Sequence, residues 1–305
     1  MYIGIDIGGT KCAVISADEN GRKLTRIAFP TTDYSSTMAR MMAEIEKLPS
    51  AQAIGVSCGG PLDESRGMIL SPPNLPGWDE IPITKMLEDR FHTPAYLCND
   101  ANACALAEWK FGAGVGTRNM IFLTCGTGMG AGLILDGKLY AGTNGNAGEV
   151  GHMRLADYGP VGYGKAGSFE GFCSGGGIAQ QAQTAAAKVL AAGKTLPYCR
   201  TQSDLASLDA RVLAEYARQG EPTACKVFRQ VGRRLGAGLA ILADIIDPQV
   251  IVIGSIFARC EDLLRPPMES VFGREALAPE NCRIVPAALG ESIGDFAALT
   301  VAQEA

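Results

Sequence analysis

The chain is poor in histidine and tryptophan, with two of each in 305 residues, and has no polybasic run. With a formal net charge of −5 it carries no electrostatic footprint for nucleic acid or an anionic membrane, so neither is expected as a partner. Its most apolar long stretch, Leu235 to Gly254, is interrupted by Asp244, Asp247 and Pro248, which excludes a lipid-spanning helix and leaves a core helix followed by a strand. No basic region or apolar signal segment precedes the first strand at Tyr2, so secretion is not indicated and a cytoplasmic location is expected. The ten cysteines are scattered with no Cys-x-x-Cys pair, which reads as reduced, largely structural thiols. The 38 glycines and 16 prolines follow no three-residue period and form no Gly/Ser tract. They belong to tight turns and ligand loops. What remains, 47% hydrophobic and 19% charged residues, is enough for a sizeable core and excludes disorder as the main state.

Strands alternate with helical patterns along the chain, which argues an α/β architecture. Two stretches share one plan of strand, glycine turn, strand, turn, strand. The first runs from Tyr2 through Gly8-Gly9-Thr10 and the turn Asp18–Gly21 to Phe29. The second runs from Asn119 through Cys125–Gly130 and Asp136-Gly137 to Gly142. Superposing Gly4–Ile15 on Leu123–Ile134 aligns the glycine turns and suggests a duplicated domain. After each meander come helices and single strands, including helices over Ser36–Leu48, Ile83–Phe91 and Asp100–Phe111 in the first half. The second half has helices over Ser174–Ala192, Leu208–Arg218, Glu221–Ile246, Cys260–Phe272 and Ile293–Ala302.

Phosphoryl transfer needs backbone N–H donors around the phosphates, a metal to share charge, and a base for the acceptor hydroxyl. Glycine turns at strand ends allow close backbone approach to phosphate. Asp6-Ile7-Gly8-Gly9-Thr10-Lys11 and Gly126-Thr127-Gly128 are two such turns in corresponding places of a repeat, and neither is a Walker A loop or a Gly-x-Gly-x-x-Gly opening a helix. Asn99-Asp100-Ala101-Asn102 lies where a strand gives way to a helix. Asp100 could cap that helix, or serve there as base for a hydroxyl with Asn99 as a hydroxyl partner. Glu149 and His152 among glycines, followed by Glu170, suit a polyol; a solvated loop is the plain alternative.

At these residues the chain resembles the ROK sugar kinases (repressors, open reading frames, kinases). The resemblance implies two actin-like, ribonuclease H-like lobes with a central cleft, the small lobe from 1–118 plus about 291–305 and the large lobe from 119–290. It makes Asp100 the base and Asp6 the organiser of Mg2+. Gly8, Gly9, Thr10, Lys11, Gly126, Thr127, Gly128 and Gly254 would bind ATP. Gly59, Gly60, Asn74, Asn99, Asp100, Glu149, His152 and Glu170 would bind a hexose, and a homodimer is a family-level expectation. Two departures stand out. The family's usual Gly-Gly after the late strand is Gly254-Ser255 here, and the thiolate positions of the zinc motif carried by many members are Val161, Tyr163 and Ser168. Repressor members carry an N-terminal DNA-binding region, for which no segment precedes the first strand.

The expected activity is ATP-dependent phosphorylation of the 6-hydroxyl of a hexose, glucose first, with fructose, N-acetylmannosamine and N-acetylglucosamine as alternative acceptors. A sugar-binding sensor without turnover would need neither Asp100 nor the phosphate turns. An actin-like filament ATPase would not need the polyol set. Since a tetrahedral zinc site needs four ligands and three thiolate positions are lost, no structural zinc is expected. Metal analysis of chelator-treated, dialysed protein should find none, and one tightly held zinc per chain would overturn that expectation.

Overall fold

Isoleucine at every second position of Tyr2–Ile7 gives that strand one apolar face, while Gly4 and Asp6 occupy the other. A computed structural model describes residues 1–19 and 21–304; Asn20, in the expected turn Asp18–Gly21, and Ala305, the last residue of the expected small lobe, lie outside the described residues. The chain opens with β1 (Tyr2–Ile7), β2 (Lys11–Ala17), β3 (Lys23–Pro30), α1 (Tyr34–Ile45) and β4 (Ala53–Cys58). A small hairpin, β5 (Leu62–Asp63) and β6 (Met68–Ile69), precedes α2 (Ile83–Phe91), β7 (Ala95–Asn99) and α3 (Asp100–Phe111). The second meander is β8 (Met120–Cys125), β9 (Met129–Leu135) and β10 (Lys138–Leu139). Another hairpin, β11 (Val161–Gly162) and β12 (Lys165–Ala166), leads into α4 (Phe169–Cys173), α5 (Gly175–Ala191), α6 (Ala210–Arg218) and α7 (Pro222–Ile246). Then come β13 (Val250–Ile253), α8 (Ile256–Arg259), α9 (Glu261–Glu275), β14 (Arg283–Pro286) and α10 (Ile293–Gln303).

The two five-stranded sheets have orders β3-β2-β1-β4-β7 and β10-β9-β8-β13-β14, the same topology twice. In each, the first strand of the meander lies in the middle, with its hairpin partners on one side. On the other side are strands that run parallel to it, β4 and β7 in the first sheet, β13 and β14 in the second. The sequence repeat is thus a repeat of fold. Among the described residues the chain divides into two compact units, one of Met1–Gly116, Gly132–Ala147 and Ala288–Ala305, the other of Thr117–Ala131 and Gly148–Ala287. None of the described helices is long and apolar enough to cross a membrane.

In the first unit, Ile3, Ile5 and Ile7 pack with Val56 and Leu97 against Met38, Met41 and Ile45 of α1 and Ile83 and Leu87 of α2. The opposite face of the sheet is covered by α10, and glycine decides how closely. A Cβ on Gly55 would lie 2.3 Å from the Ala298 carbonyl oxygen, and one on Gly4 would lie 2.8 Å from the Leu299 nitrogen. The helix therefore rests directly on strand backbone. Glu108 of α3, fully buried, accepts the N–H groups of Ala113 (2.8 Å), Ala288 (3.2 Å) and Leu289 (2.8 Å). One carboxylate thus ties together the stretch by which the chain first leaves this unit and the stretch by which it last returns.

In the second unit, α7 is started by Pro222 at its first position and by Glu221, whose side chain accepts from Thr223 and Ala224. Gly236 and Gly238 let it approach the Met268 carbonyl of α9 and the ring of Phe169.

Gly55→Ala is expected to cost about 1–3 kcal/mol or more, because the new methyl would overlap backbone that cannot retreat. Gly273→Ala, inside α9 with open space around it, should instead gain a few tenths to about 1 kcal/mol. Urea unfolding of both variants decides; a silent Gly55→Ala would mean that α10 sits farther from the sheet.

Candidate active site

The first unit gathers Asp6, Gly8–Lys11, Gly59, Gly60, Asn74, Asn99 and Asp100 at the carboxyl ends of β1, β4 and β7, where open α/β sheets present ligands. A Cβ on Gly59 would lie 3.7 Å from Asp100 Oδ2, and one on Gly60 would lie 3.6 Å from Asn99 Nδ2. Gly9 is held still closer to Asn74, whose carbonyl oxygen would be 2.6 Å from a Cβ there. These glycines leave bare backbone beside the polar side chains. The fold of Gly8-Gly9-Thr10 is fixed by Gly8 donating to the Lys11 carbonyl (3.1 Å) and by Thr31, which donates through Oγ1 to the Gly8 carbonyl (2.6 Å).

The helix cap is not Asp100. Asn99 holds the cap position, its Oδ1 accepting from Ala101 (3.0 Å) and Asn102 (3.4 Å), and Asp100 is the first helical residue. Asn99 has extended backbone and a side-chain oxygen reaching the first free N–H groups, as a cap requires. Its amide nitrogen is left to face Gly60. Asp100 Oδ1 accepts the next N–H, that of Ala101, at 2.8 Å.

Two carboxylates in this cluster are pushed toward the neutral form. Burial, then the neighbouring charges of Asp100 and Asp295, raise Asp6 to about 6, against the opposing pull of Lys11 and Arg26. Asp100 is raised as well: part of its surface is open to solvent, but the surrounding protein displaces enough water to outweigh the Ala101 N–H. Asp295 itself is neutralised by Lys23 (2.6 Å) and Arg26 (2.8 Å).

In the second unit the turn Gly126-Thr127-Gly128 joins β8 to β9. Gly175, at the start of α5, donates to the Gly126 carbonyl at 2.8 Å. Ser174 caps that helix through Gly177, at 3.1 Å. Glu170 on α4 accepts the Met129 N–H through Oε2 at 3.0 Å, so it is bound to the exit of the glycine turn as well as being a candidate sugar ligand. Gly151 packs against Glu170, and Glu149 and His152 flank Gly151 on the single 3₁₀ turn Val150–His152. The turn that carries Glu149 and His152 therefore lies against Glu170 through Gly151. His152 meets Tyr163 edge-on, ring centroids 5.2 Å apart, and its carbonyl accepts from Lys165 Nζ at 2.7 Å. At the former thiolate positions, Val161 is clamped through both backbone groups by the Gln180 amide (3.0 and 2.8 Å), and Ser168 caps α4 through Gly171 (3.1 Å). Gly254 ends β13, its N–H bonded to the Leu123 carbonyl (2.9 Å). The next residue, Ser255, holds φ 55°, a region where glycine is at ease and a side chain is strained.

Sequence reasoning missed two features. Glu64, in the β5–β6 hairpin, accepts the Asn99 N–H at 2.7 Å and so buttresses the Asn99-Asp100 turn from 35 residues away in sequence; no local signal marks it. A cavity of about 700 Å³ lies beside Gly126 and Thr127, walled by Gly175, Gly176, Arg211 and Ile256. The run Ser174-Gly175-Gly176-Gly177 was the signal for that one, a capped helix start without side chains.

The chain matches the model of the ROK family over residues 2–305. It is 33% identical over 320 residues to a glucokinase of Streptomyces coelicolor, with 100% of this chain and 98% of that protein covered. An N-acetylmannosamine kinase of Escherichia coli O9:H4 is 32% identical over 268 residues, with 86% of this chain and 85% of that protein covered. The crystal structure of a ROK family glucokinase from Streptomyces griseus in complex with glucose and AMPPNP superposes with a TM-score of 0.79 at 31% identity, covering 100% of this chain and 99% of that one. With a match from the second residue to the last and the same two-sheet architecture, the chain belongs to the ROK family.

Proposed function

We propose that this chain transfers the γ-phosphoryl group of ATP to the 6-hydroxyl of a hexose, with glucose preferred, and that Asp100 is the base. Family membership and the glucokinase relatives make it an ATP-dependent sugar phosphotransferase. The observation that carries the finer reading is the state of Asp100. Its carboxyl is raised by loss of water, stands beside bare backbone at Gly59, and is relieved of any capping duty by Asn99. A base of raised pKa takes a hydroxyl proton with more driving force than an ordinary carboxylate.

The donor set fits a divalent cation. Asp6 and Asp100 repel each other, and the cations near Asp6 offset that only in part. Mg2+ would be held by Asp6, and with the nucleotide bound it would supply charge neutralisation on the phosphate oxygens. Backbone N–H groups of the two glycine turns are assigned to the phosphates, and the cavity beside Gly126 and Thr127, of a size suited to a nucleoside, to the adenosine. Asn74, Asn99, Glu149, His152 and Glu170 are assigned to the sugar hydroxyls. Fixing Glu170 Oε2 on Met129 leaves Oε1 oriented for a hydroxyl.

Asp100→Asn keeps the shape but cannot accept the proton, so kcat should fall by on the order of 10²- to 10⁴-fold while sugar affinity changes far less. Because the folded state raises this carboxyl, its charge at neutral pH opposes folding, and the Asn variant should unfold at no lower temperature. Asn99→Ala should instead lose about 1 kcal/mol of stability through the cap. Steady-state kinetics, sugar titration and thermal unfolding separate these effects. An Asp100→Asn enzyme keeping more than about a tenth of wild-type kcat would remove Asp100 as base.

The N-acetylmannosamine kinase relative supports a second reading of the acceptor. Comparing kcat/KM for glucose, mannose, fructose, N-acetylmannosamine and N-acetylglucosamine should place glucose first. A lead of about tenfold or more for an N-acetyl sugar, equal to the discrimination a single pocket contact can supply, would overturn the glucose preference.

A further inference from the structure

The longest helix of the second unit is predominantly basic, its acidic residue Asp244 lying in the last turn. From Pro222 to Ala243, α7 holds Lys226, Arg229, Arg233 and Arg234 and no acidic residue, in a chain whose net charge is −5. Two cavities of about 440 and 460 Å³ open along its contact with α9, and Arg229, Arg233 and Arg274 line both. Arg229 and Arg233 stand one helical turn apart on the same face, and Arg274 reaches the shared wall from the last turn of α9. All three are exposed, and none forms an ion pair or hydrogen bond among the described residues. The other arginines of these two helices are committed, Arg265 to Glu261 and Glu269 and Arg234 to the Leu155 carbonyl and the Phe172 ring, and Arg218 of α6 is paired with Asp262. Asp262, at one end of the wall, is occupied by Arg218 through both oxygens; Glu275, at the other, lines the second cavity without forming an ion pair.

Three unpaired guanidiniums on one wall repel one another unless an anion joins them. Each cavity has the volume of a small-ligand site, and guanidinium forks grip phosphate oxygens in pairs. Lys226, exposed on the second cavity, brings the unpaired cations there to four against Glu275, more than one phosphate monoester balances, and the arginine triad is common to both cavities. We propose that this wall is a second ligand site, apart from the sugar and nucleotide residues, that takes a small molecule carrying two or more phosphate groups. Such a ligand has two sources, an inorganic phosphate chain or a bisphosphorylated sugar.

The test is calorimetry on the full chain saturated with a non-hydrolysable ATP analogue and Mg2+, so that the glycine turns are filled. Tripolyphosphate, a hexose 1,6-bisphosphate and orthophosphate are titrated separately. One of the first two should bind, and which one identifies the source. Arg229→Ala with Arg233→Ala, and separately Arg274→Ala, should weaken that binding roughly tenfold or more, the scale of a lost charge-assisted contact. Lys194→Ala, on the exposed turn after α5, should not, and all variants should keep wild-type kcat and KM for ATP. Should the double variant fail to fold, Arg274→Ala alone carries the comparison. Absence of binding by both polyphosphorylated probes, equal binding by the arginine variants, or orthophosphate binding as tightly would overturn the proposal. So would variants that change only self-association in sedimentation, which would make the wall a contact between copies of the chain.

Discussion

The seating of α10 on the bare backbone of β1 and β4 is the contact on which the first unit depends. Side chains on a strand ordinarily hold a packed layer off the backbone, and here Gly4 and Gly55 remove those side chains where the helix crosses. The consequence reaches the chemistry. A Cβ on Gly294, in the first turn of the same helix, would lie 2.6 Å from Asp6 Oδ2, and Asp295 adds to the repulsion that raises Asp6. The last helix thus closes the sheet that β1 began and helps set the charge state of the first acidic residue in the chain.

The cluster around Asp6 shows a fold spending stability on a site. Asp6 and Asp100 are crowded together and partly dehydrated, an arrangement that disfavours the ionised form of each and opposes folding at neutral pH. Asp295, whose charge also bears on Asp6, is ion-paired with Lys23 and Arg26. The unit has the means to pair a carboxylate and, among the described residues, leaves these two without an ion pair, and perturbed carboxylates of this kind gather at functional sites.

The second unit meets a different demand, holding the acidic side chain of Glu170 in place beside the glycine turn. Its device is again the absent side chain. Gly128, Gly151 and Gly162 crowd Glu170 so closely that it has little freedom, and the Met129 N–H fixes one of its oxygens. The hairpin Val161–Ala166 is fixed by Gln180 and by the Ser168 cap, while Tyr163 at its tip meets His152.

What the sequence by itself determined is local. The glycine turns after β1 and β8, the alternation of Ile3, Ile5 and Ile7, the helix start at Asp100 and the grouping of Glu149 with His152 follow from backbone geometry and short-range periodicity. Family likeness added the roles. The repeated meander was legible for the same reason, because each copy is built from adjacent strands. Tertiary structure decided everything that rests on distant partners. Asn99 and Asp100 are both acceptable caps in sequence, and only the chain direction out of β7 gives the cap to Asn99 and frees Asp100. Glu64 reaches Asn99, and Glu170 reaches Met129, across sequence gaps that no periodicity spans. Lys226, Arg229 and Arg233 form no basic run along the chain and become a charged wall only when helix spacing aligns them and α9 brings Arg274 beside them. Local propensity and glycine turns act over a few residues, whereas a carboxylate's partners, its water and its charge are set by whatever folding places around it.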